Sequence, residues 1–222
     1  MPSLVLSTRN EHKLREFAGM LPGWQIEPLP DELELPPETG ATFEANALDK
    51  ARAAAAALGR AAIADDSGIC AFALEGRPGV RSARFAGEDA TDEQNLDKLI
   101  ADLAELSDKR VEYVCAIAYV GADGVEQVFT GRCAGRLISE RRGDGGFGYD
   151  PCVISDDYGD GRTMAELSQS EKDAISHRGR AARDLLAWLS DVADGAADGV
   201  ADDVPDNVPE HAGWRESRER DH

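Results

Sequence analysis

The segment that decides the fold is 61–68, which reads Ala-Ala-Ile-Ala-Asp-Asp-Ser-Gly. Four small or apolar residues, typical of a buried strand, are followed directly by two carboxylates and a Ser-Gly pair. The pattern predicts a short strand over 61–64 that ends where Asp65-Asp66-Ser67-Gly68 begins. Open α/β sheets bind ligands outside the carboxyl ends of their strands, so we expect Asp65 and Asp66 to face a cleft.

The rest of the chain alternates strand and helix patterns. An apolar run at 4–6 precedes a polar turn and a helical repeat that ends before Pro22. Further helices are predicted after caps at Thr42, Thr91 and Ser168, the last two with a Gln or Glu three residues on, as in a capping box. Residues 28–40 carry four prolines and are predicted to form an extended loop.

Two β-rich runs, 111–120 and 125–134, flank the turn signal Gly-Ala-Asp-Gly and predict a long hairpin. Strands that alternate with helices, together with this hairpin, predict an α/β fold with a mixed sheet. The pattern predicts one domain over 1–190. Residues 191–222 hold 10 Asp or Glu and 3 Arg with few large apolar side chains, so we expect a disordered acidic tail there.

The charge of the chain excludes one class of function. There are 43 acidic against 24 basic side chains, a net charge of −19, so a general nucleic-acid binder is not expected. The excess extends beyond the tail into the body of the chain, as is typical of proteins kept in solution in concentrated salt, where screening removes long-range repulsion.

The cysteines and the apolar runs predict the compartment. Four cysteines lie far apart with no Cys-x-x-Cys pair, so we expect reduced thiols in a cytoplasmic protein. No apolar run approaches the roughly 20 residues of a membrane span, and the first residues do not resemble a signal peptide. We therefore expect no membrane partner.

Two segments could bind an anion or a metal. Residues 8–13, the 8–13 turn, read Thr-Arg-Asn-Glu-His-Lys between a strand and a helix, where amide groups, the helix dipole and Lys13 would attract a phosphate. The alternative is an Asn10 helix cap with a solvated Lys13. Asp65 and Asp66 offer hard oxygens suited to Mg²⁺ or to activating water, and the alternative is a turn held by their hydrogen bonds.

Two further segments could contact a ring. Residues 143–151 read Gly-Asp-Gly-Gly-Phe-Gly-Tyr-Asp-Pro; no strand precedes this Gly-rich loop and no helix follows it, which argues against a dinucleotide fingerprint. Its two aromatic residues would stack on a flat ligand or cover the core. Lys172 and the run 176–180, Ser-His-Arg-Gly-Arg, concentrate donors and cations, which favours either an anionic or carbonyl-rich ligand or ordinary surface ion pairs.

In this order and spacing the segments resemble the non-canonical purine nucleoside triphosphate pyrophosphatases, the Ham1 or inosine triphosphatase family, over residues 4 to about 189. The resemblance implies a homodimer of two-lobed subunits, each with a long mixed central sheet flanked by helices and a cleft between the lobes. It also implies a pool-cleansing hydrolysis of ITP, dITP and XTP to the monophosphate and pyrophosphate, with Mg²⁺ as the cofactor.

The resemblance assigns roles by position. Asp66 would be the catalytic proton acceptor and a metal ligand; the substrate-binding residues would be Thr8, Arg9, Asn10, Glu11, His12, Lys13, Ser67, Phe147, Gly148, Tyr149, Asp150, Lys172, His177 and Arg178. Two positions depart from the family pattern. Arg9 replaces a frequent Gly, and Pro37 stands where some relatives have a metal-binding carboxylate. The second ligand would then be the adjacent Glu38, Asp65 or water.

Two other functions remain open from the sequence. One is a related nucleotide pyrophosphatase with a different base preference, which would keep the phosphate machinery. The other is a nucleotide-binding protein that has lost hydrolysis.

Overall fold

The computed structural model describes residues 1–197, which form a six-stranded mixed sheet flanked by helices. The strands are β1 Ser3–Leu6, β2 Gln25–Pro28, β3 Ala62–Ala71, β4 Arg110–Val120, β5 Glu126–Leu137 and β6 Val153–Ser155. The helices are α1 Glu11–Met20, α2 Phe43–Leu58, α3 Asp92–Leu103, α4 Gln169–Ile175 and α5 His177–Ala197. The sheet order is β2-β1-β3-β4-β5-β6, parallel across the first three strands and antiparallel beyond them.

The predicted helix caps and hairpin are confirmed. Thr42 accepts from the Ala45 amide at 3.2 Å, and Gly59 ends α2 at a φ of 62°, a conformation that glycine adopts without strain. Thr91 and Ser168 both form capping boxes. Helix α5 extends to Ala197, past the predicted domain end at 190, and the rest of the predicted tail lies outside the described residues.

The predicted end of the strand at residue 64 is wrong, and so is the alternative of a turn at 65–68. β3 runs without interruption through these residues, with Asp65 opposite Ile117 and Asp66 opposite Ala116 of β4. Pairing along the whole of β4 outweighs the local turn preference of Asp-Asp-Ser-Gly. The strand that ends here is β1, which pairs with β3 only at Ala62 and Ile63. The two carboxylates therefore lie where one edge of β3 becomes open.

A second difference concerns the proline-containing segment. Residues 25–28, whose last residue was predicted as loop, form β2 in parallel register with β1. Pro28 closes this edge strand, where a residue without an N–H is tolerated. The extended loop begins only after it.

The core is divided among three clusters. Two of them lie on opposite faces of the sheet near β1 and form one of the predicted lobes, and the third forms the other lobe. One face of β1 and β3 packs on α1 and α5 through residues such as Leu6, Phe17 and Ile63. The opposite face packs on the alanine-rich helix α2. The third cluster, around α3 and β6, covers the far half of the β3–β4–β5 ladder. Within residues 1–197, no helix is both long and apolar enough to cross a bilayer.

Helix α5 can approach β5 closely because residue 131 is a glycine. A Cβ at Gly131 would overlap the backbone carbonyl of His177 and lie 2.7 Å from the Ala181 amide. Any side chain here would push the start of α5 away from the sheet, and with it His177 and Arg178.

Gly131→Ala should therefore lower the free energy of unfolding by at least about 2 kcal/mol, because the clash is with backbone that cannot rotate away. Urea denaturation measures the loss. The matched control is Gly19→Ala, on the exposed face of α1 with nothing within 4 Å of the new Cβ. It should leave stability unchanged or raise it by about 0.5–1 kcal/mol through helix propensity. Equal stabilities for Gly131→Ala and the wild type would contradict the close packing.

Candidate active site

A cavity of about 330 Å³ opens at the exposed edge of β3, between the two lobes. Most of the predicted site residues line it, namely Thr8, Arg9, Asn10, Lys13, Glu38, Asp66, Ser67, Phe147, Gly148, Tyr149, Asp150, Lys172, His177 and Arg178. Glu11 and His12 are exposed and lie outside the lining. Residues from distant parts of the sequence thus meet at the point where β1 ends.

At one end of the cavity Asp65 holds two cations together. Its side chain is fully buried and contacts Lys13 Nζ at 2.9 Å and the Arg178 guanidinium at 3.2 Å. Burial alone would raise the pKa of Asp65, but the positive charges of Lys13, Arg178 and Lys50 outweigh it and hold the pKa well below its usual value. Asp65 is therefore an ionised structural anion that fixes Lys13 and Arg178 beside the cavity.

Asp66 points to the opposite face of the same strand, because successive side chains of a strand alternate. Its Oδ2 accepts from Asn46 Nδ2 at 2.8 Å, and its Oδ1 accepts from the Ser67 amide at 2.9 Å. Burial raises the pKa of Asp66 above its usual value, and Lys50 and the Asn46 hydrogen bond offset this only in part. A carboxylate with a raised pKa that lines a cavity is suited to accept a proton.

Lys50, which sequence reasoning missed, joins two carboxyl-bearing segments. Its buried Nζ donates to Glu38 at 2.6 Å and to the backbone carbonyl of Asp65 at 2.7 Å, on the open edge of β3. Glu38 also contacts Arg84 at 3.4 Å. Burial raises the pKa of Glu38, but the charge and hydrogen bond of Lys50 together with Lys13 and Arg84 outweigh burial and lower the pKa overall. A signal existed: Asn46 and Lys50 stand four apart in an otherwise apolar helical face.

Asp66 and Glu38, the two carboxylates near Lys50 that line the cavity, are candidate metal ligands. Asp66 and Glu38 both line the cavity, and no cluster of three or more potential metal ligands occurs within residues 1–197. A donor set of this size does not form an all-protein cage. It fits Mg²⁺, which retains water and is bound through one or two carboxylates together with substrate phosphates.

The other end of the cavity is aromatic and basic. Tyr113 stacks on His177 with ring centroids 4.8 Å apart, and its hydroxyl donates to Asp150 at 3.0 Å. Lys172 Nζ pairs with Asp150 at 2.9 Å and lies 5.1 Å from the centre of the Phe147 ring. Tyr113 was missed because nothing in its own strand distinguishes it from a core tyrosine.

His177 is the side chain at this end with an unused polar atom. Its buried Nδ1 has no hydrogen-bond partner in the described part of the chain. Burial and the nearby charges of Arg178 and Lys172 hold the pKa of His177 well below its usual value, so the ring is neutral. A neutral ring with a free nitrogen is suited to one directional hydrogen bond with a ligand.

Glu16 on α1 connects the basic residues to the helix of the 8–13 turn. It contacts Arg178 at 2.6 Å and Lys172 at 3.3 Å, and its side chain is only 9% exposed. Glu16 could not be selected from the sequence, because a glutamate in the middle of an amphipathic helix is usually solvated. Its two partners are more than 150 residues away.

The 8–13 turn combines both readings that the sequence allowed. Asn10 caps α1, its Oδ1 accepting from the His12 and Lys13 amides at 2.9 and 3.2 Å. Those two amides, expected to face a phosphate, are therefore occupied by the cap. Lys13 is not solvated but half-buried against Asp65. The guanidinium of Arg9 is bonded to backbone carbonyls of Leu29, Pro30, Asp31 and Leu33.

These features define an α/β protein whose cleft joins a buried cation and carboxylate cluster to an aromatic, basic pocket, an arrangement suited to a polyanionic ligand that carries a flat ring. The chain belongs to the Ham1 family, whose family model matches residues 4–188.

Relatives and solved structures agree with this assignment. The chain is 48% identical over 202 residues to the dITP/XTP pyrophosphatase of Mycolicibacterium paratuberculosis, covering 87% of this chain and 98% of the relative. It is 41% identical over 194 residues to the dITP/XTP pyrophosphatase of Staphylococcus aureus, and the match covers 85% of this chain and 97% of that relative. The solved Ham1 proteins of Staphylococcus aureus and Coxiella burnetii superpose with TM-scores of 0.77 and 0.78 at 39% and 38% identity. Each covers 86% of this chain, and the match spans 99% and 100% of the solved chains.

Replacing Asp65 tests its structural role. Asp65→Asn should lower the free energy of unfolding at pH 6 by about 3 kcal/mol, because Lys13 and Arg178 would be left buried without their anion. A carboxyl whose folded pKa is depressed stabilises the protein above its unfolded pKa of about 3.9 and loses that contribution as the pH falls. The difference in the free energy of unfolding between wild type and Asp65→Asn should therefore become smaller as the pH falls from 6 to 3.

Urea denaturation across that range measures the difference. The control is Asp89→Asn, which removes an exposed carboxylate and should stay within about 0.5 kcal/mol of the wild type. A difference in unfolding free energy that does not change with pH would show that Asp65 does not act through its charge.

Proposed function

We propose that this chain hydrolyses the non-canonical purine nucleoside triphosphates dITP, ITP and XTP to the monophosphate and pyrophosphate, and so cleanses the nucleotide pool. The observation that carries the proposal is the placement of Asp66, Lys13 and His177 around one cavity. The dITP/XTP pyrophosphatase relatives, which align over most of both chains, support it.

The proposed chemistry assigns a different task to each carboxylate of β3. Asp66 accepts a proton from the water that attacks the α-phosphorus, and its raised pKa makes it a better base than an ordinary aspartate. Lys13, held in place by Asp65, stabilises the negative charge that develops on the departing pyrophosphate. The reaction needs no covalent link to the protein, because water itself is the nucleophile.

Asp66 and Glu38 are the residues that would hold Mg²⁺, with Asp66 the better placed because Glu38 is paired with Lys50 and Arg84. Bound Mg²⁺ would supply positive charge next to the phosphate oxygens. Lys50 contributes to the same region by fixing Glu38 to the edge of β3.

The base is proposed to lie at the aromatic end, against Phe147 and next to His177. His177 lines the cavity as a neutral ring, and a protonated ring nitrogen on its cavity side donates to the 6-oxygen of hypoxanthine or xanthine. Adenine has an amino group at that position, so two donors would meet. Arg178 donates to Asp65, Glu16 and Ser67, so its main task in base recognition is to fix the surroundings of His177.

We also propose a cytoplasmic homodimer with a surface adapted to concentrated salt. All four cysteines carry free thiols, as expected in a reducing compartment. The net charge of −19 supports the adaptation to salt. The homodimer rests on the family resemblance.

Asp66→Asn should reduce kcat for dITP at least about 10³-fold, because the amide cannot accept the proton. Thermal stability should be equal or higher, since burial disfavours the charge of Asp66. Pyrophosphate release and the melting temperature are the two measurements. Asp49→Asn, an exposed position on α2, makes the same change of charge and should keep full activity. An unfolded Asp66→Asn variant would assign Asp66 to structure instead.

A substrate panel tests the base contact. With Mg²⁺, kcat/KM for dITP and XTP should exceed that for ATP and dTTP by at least about 100-fold, the scale expected when a buried donor is left unpaired. His177→Ala should reduce this ratio more than it reduces turnover of dITP. Equal turnover of all bases would favour a related pyrophosphatase with another preference, and binding of dITP without pyrophosphate release would favour a nucleotide-binding protein.

A further inference from the structure

Arg9 belongs to the 8–13 turn but is bonded to a different segment. Its Nη1 donates to the backbone carbonyl of Leu29 at 2.9 Å. Its Nη2 lies at 2.9, 3.2 and 2.6 Å from the carbonyl oxygens of Pro30, Asp31 and Leu33, which share its two N–H groups. A longer contact of 3.4 Å reaches the exposed carboxylate of Asp31. Four carbonyls converging on one side chain form a built binding site for a planar cation with several N–H groups.

The segment that Arg9 holds is one side of the cavity. We call residues 29–38 the wall segment; it contains no helix or strand, and its residues Leu35 and Glu38 line the cavity. Its far end is fixed where Glu38 contacts Lys50 and Arg84. Its near end is fixed to the 8–13 turn by Arg9. A segment without a sheet or helix ladder depends on such side-chain contacts for its order.

We propose that Arg9 is a positioning residue, which fastens the wall segment to the 8–13 turn and so keeps Leu35 and Glu38 against the cavity. Its consequence for catalysis rests on the proposed function. If the wall segment were released, only part of the population would have a complete cavity, and the apparent affinity for substrate would fall by that fraction. Substrate at saturation would restore the complete state, so KM would rise while kcat changed little.

The competing role for Arg9 is electrostatic attraction of the triphosphate. In that case the positive charge would matter and its shape would not, so lysine would replace it. In the positioning role the shape decides, because the guanidinium uses two nitrogens, Nη1 toward Leu29 and Nη2 toward the other three carbonyls, and the single nitrogen of a lysine ammonium cannot occupy both positions. Arg9→Lys therefore separates the two roles, and Arg9→Ala removes both.

Proteolysis measures the wall segment without any reference to activity. A glutamate-specific protease can cut after Glu32 and Glu34, both within the wall segment. We expect cleavage there to be about tenfold faster in Arg9→Ala and Arg9→Lys than in the wild type, because local opening exposes the backbone. Asp31→Asn is the control; it alters only the exposed 3.4 Å contact and should stay within about twofold.

Steady-state kinetics completes the test. KM for dITP should rise about fivefold in both Arg9 variants with kcat within about twofold. Wild-type cleavage rates in both variants would overturn the positioning role of Arg9. An Arg9→Lys variant with the wild-type cleavage rate and the wild-type KM would also overturn it. Faster cleavage with an unchanged KM would contradict the positioning role. A wild-type protein that releases no pyrophosphate would refute the proposed function while leaving the cleavage result intact.

Discussion

The buried carboxylate of Asp65 is the constraint on which the rest of the site depends. It is fully buried between Lys13 from α1 and Arg178 from α5. Two cations brought this close inside a protein would repel each other and lose their hydration, and one anion between them removes both costs. Because Arg178 also binds Glu16, the first helix and the last are joined through one network of charges. Lys13 and Arg178, which this network holds, both line the cavity.

Successive side chains of a strand point to opposite faces of the sheet, so Asp65 and Asp66 have different surroundings and different roles. Asp65 faces α1 and α5, where cations surround it, whereas Asp66 faces α2, where Asn46 and burial surround it. Neighbouring residues of the same type therefore have pKa values that are shifted in opposite directions. One is kept charged to organise the site, and the other is kept basic enough to accept a proton. The open edge of β3 beyond β1 allows both to act in one cavity.

Much of the fold could be predicted from the sequence, because caps such as Thr91 and the hairpin around 121–124 are local signals. The predicted strand end at residue 64 was wrong because the local turn preference of Asp-Asp-Ser-Gly is outweighed by pairing with β4, about 50 residues further along the chain. The site was predictable where residues cluster, as at His177 and Arg178.

Site residues that act across the fold could not be selected from sequence. Glu16, Lys50 and Tyr113 have meaning only through partners that tertiary structure brings near. Arg9 was assigned to phosphate binding because its neighbours are, and only the coordinates reveal that its guanidinium turns toward the 29–33 carbonyls. A helix cap such as Asn10 can be predicted from its neighbours in the sequence. The distant loop that Arg9 contacts cannot.

Carboxyl carbon-13 NMR of the metal-free protein measures the titration of both carboxylates, with the Asp65 and Asp66 signals assigned by their loss in the corresponding asparagine variants. We expect Asp65 to remain ionised well below the ordinary aspartate pKa and Asp66 to take up its proton above it. Two ordinary titrations, or the opposite order, would contradict the division of roles along β3.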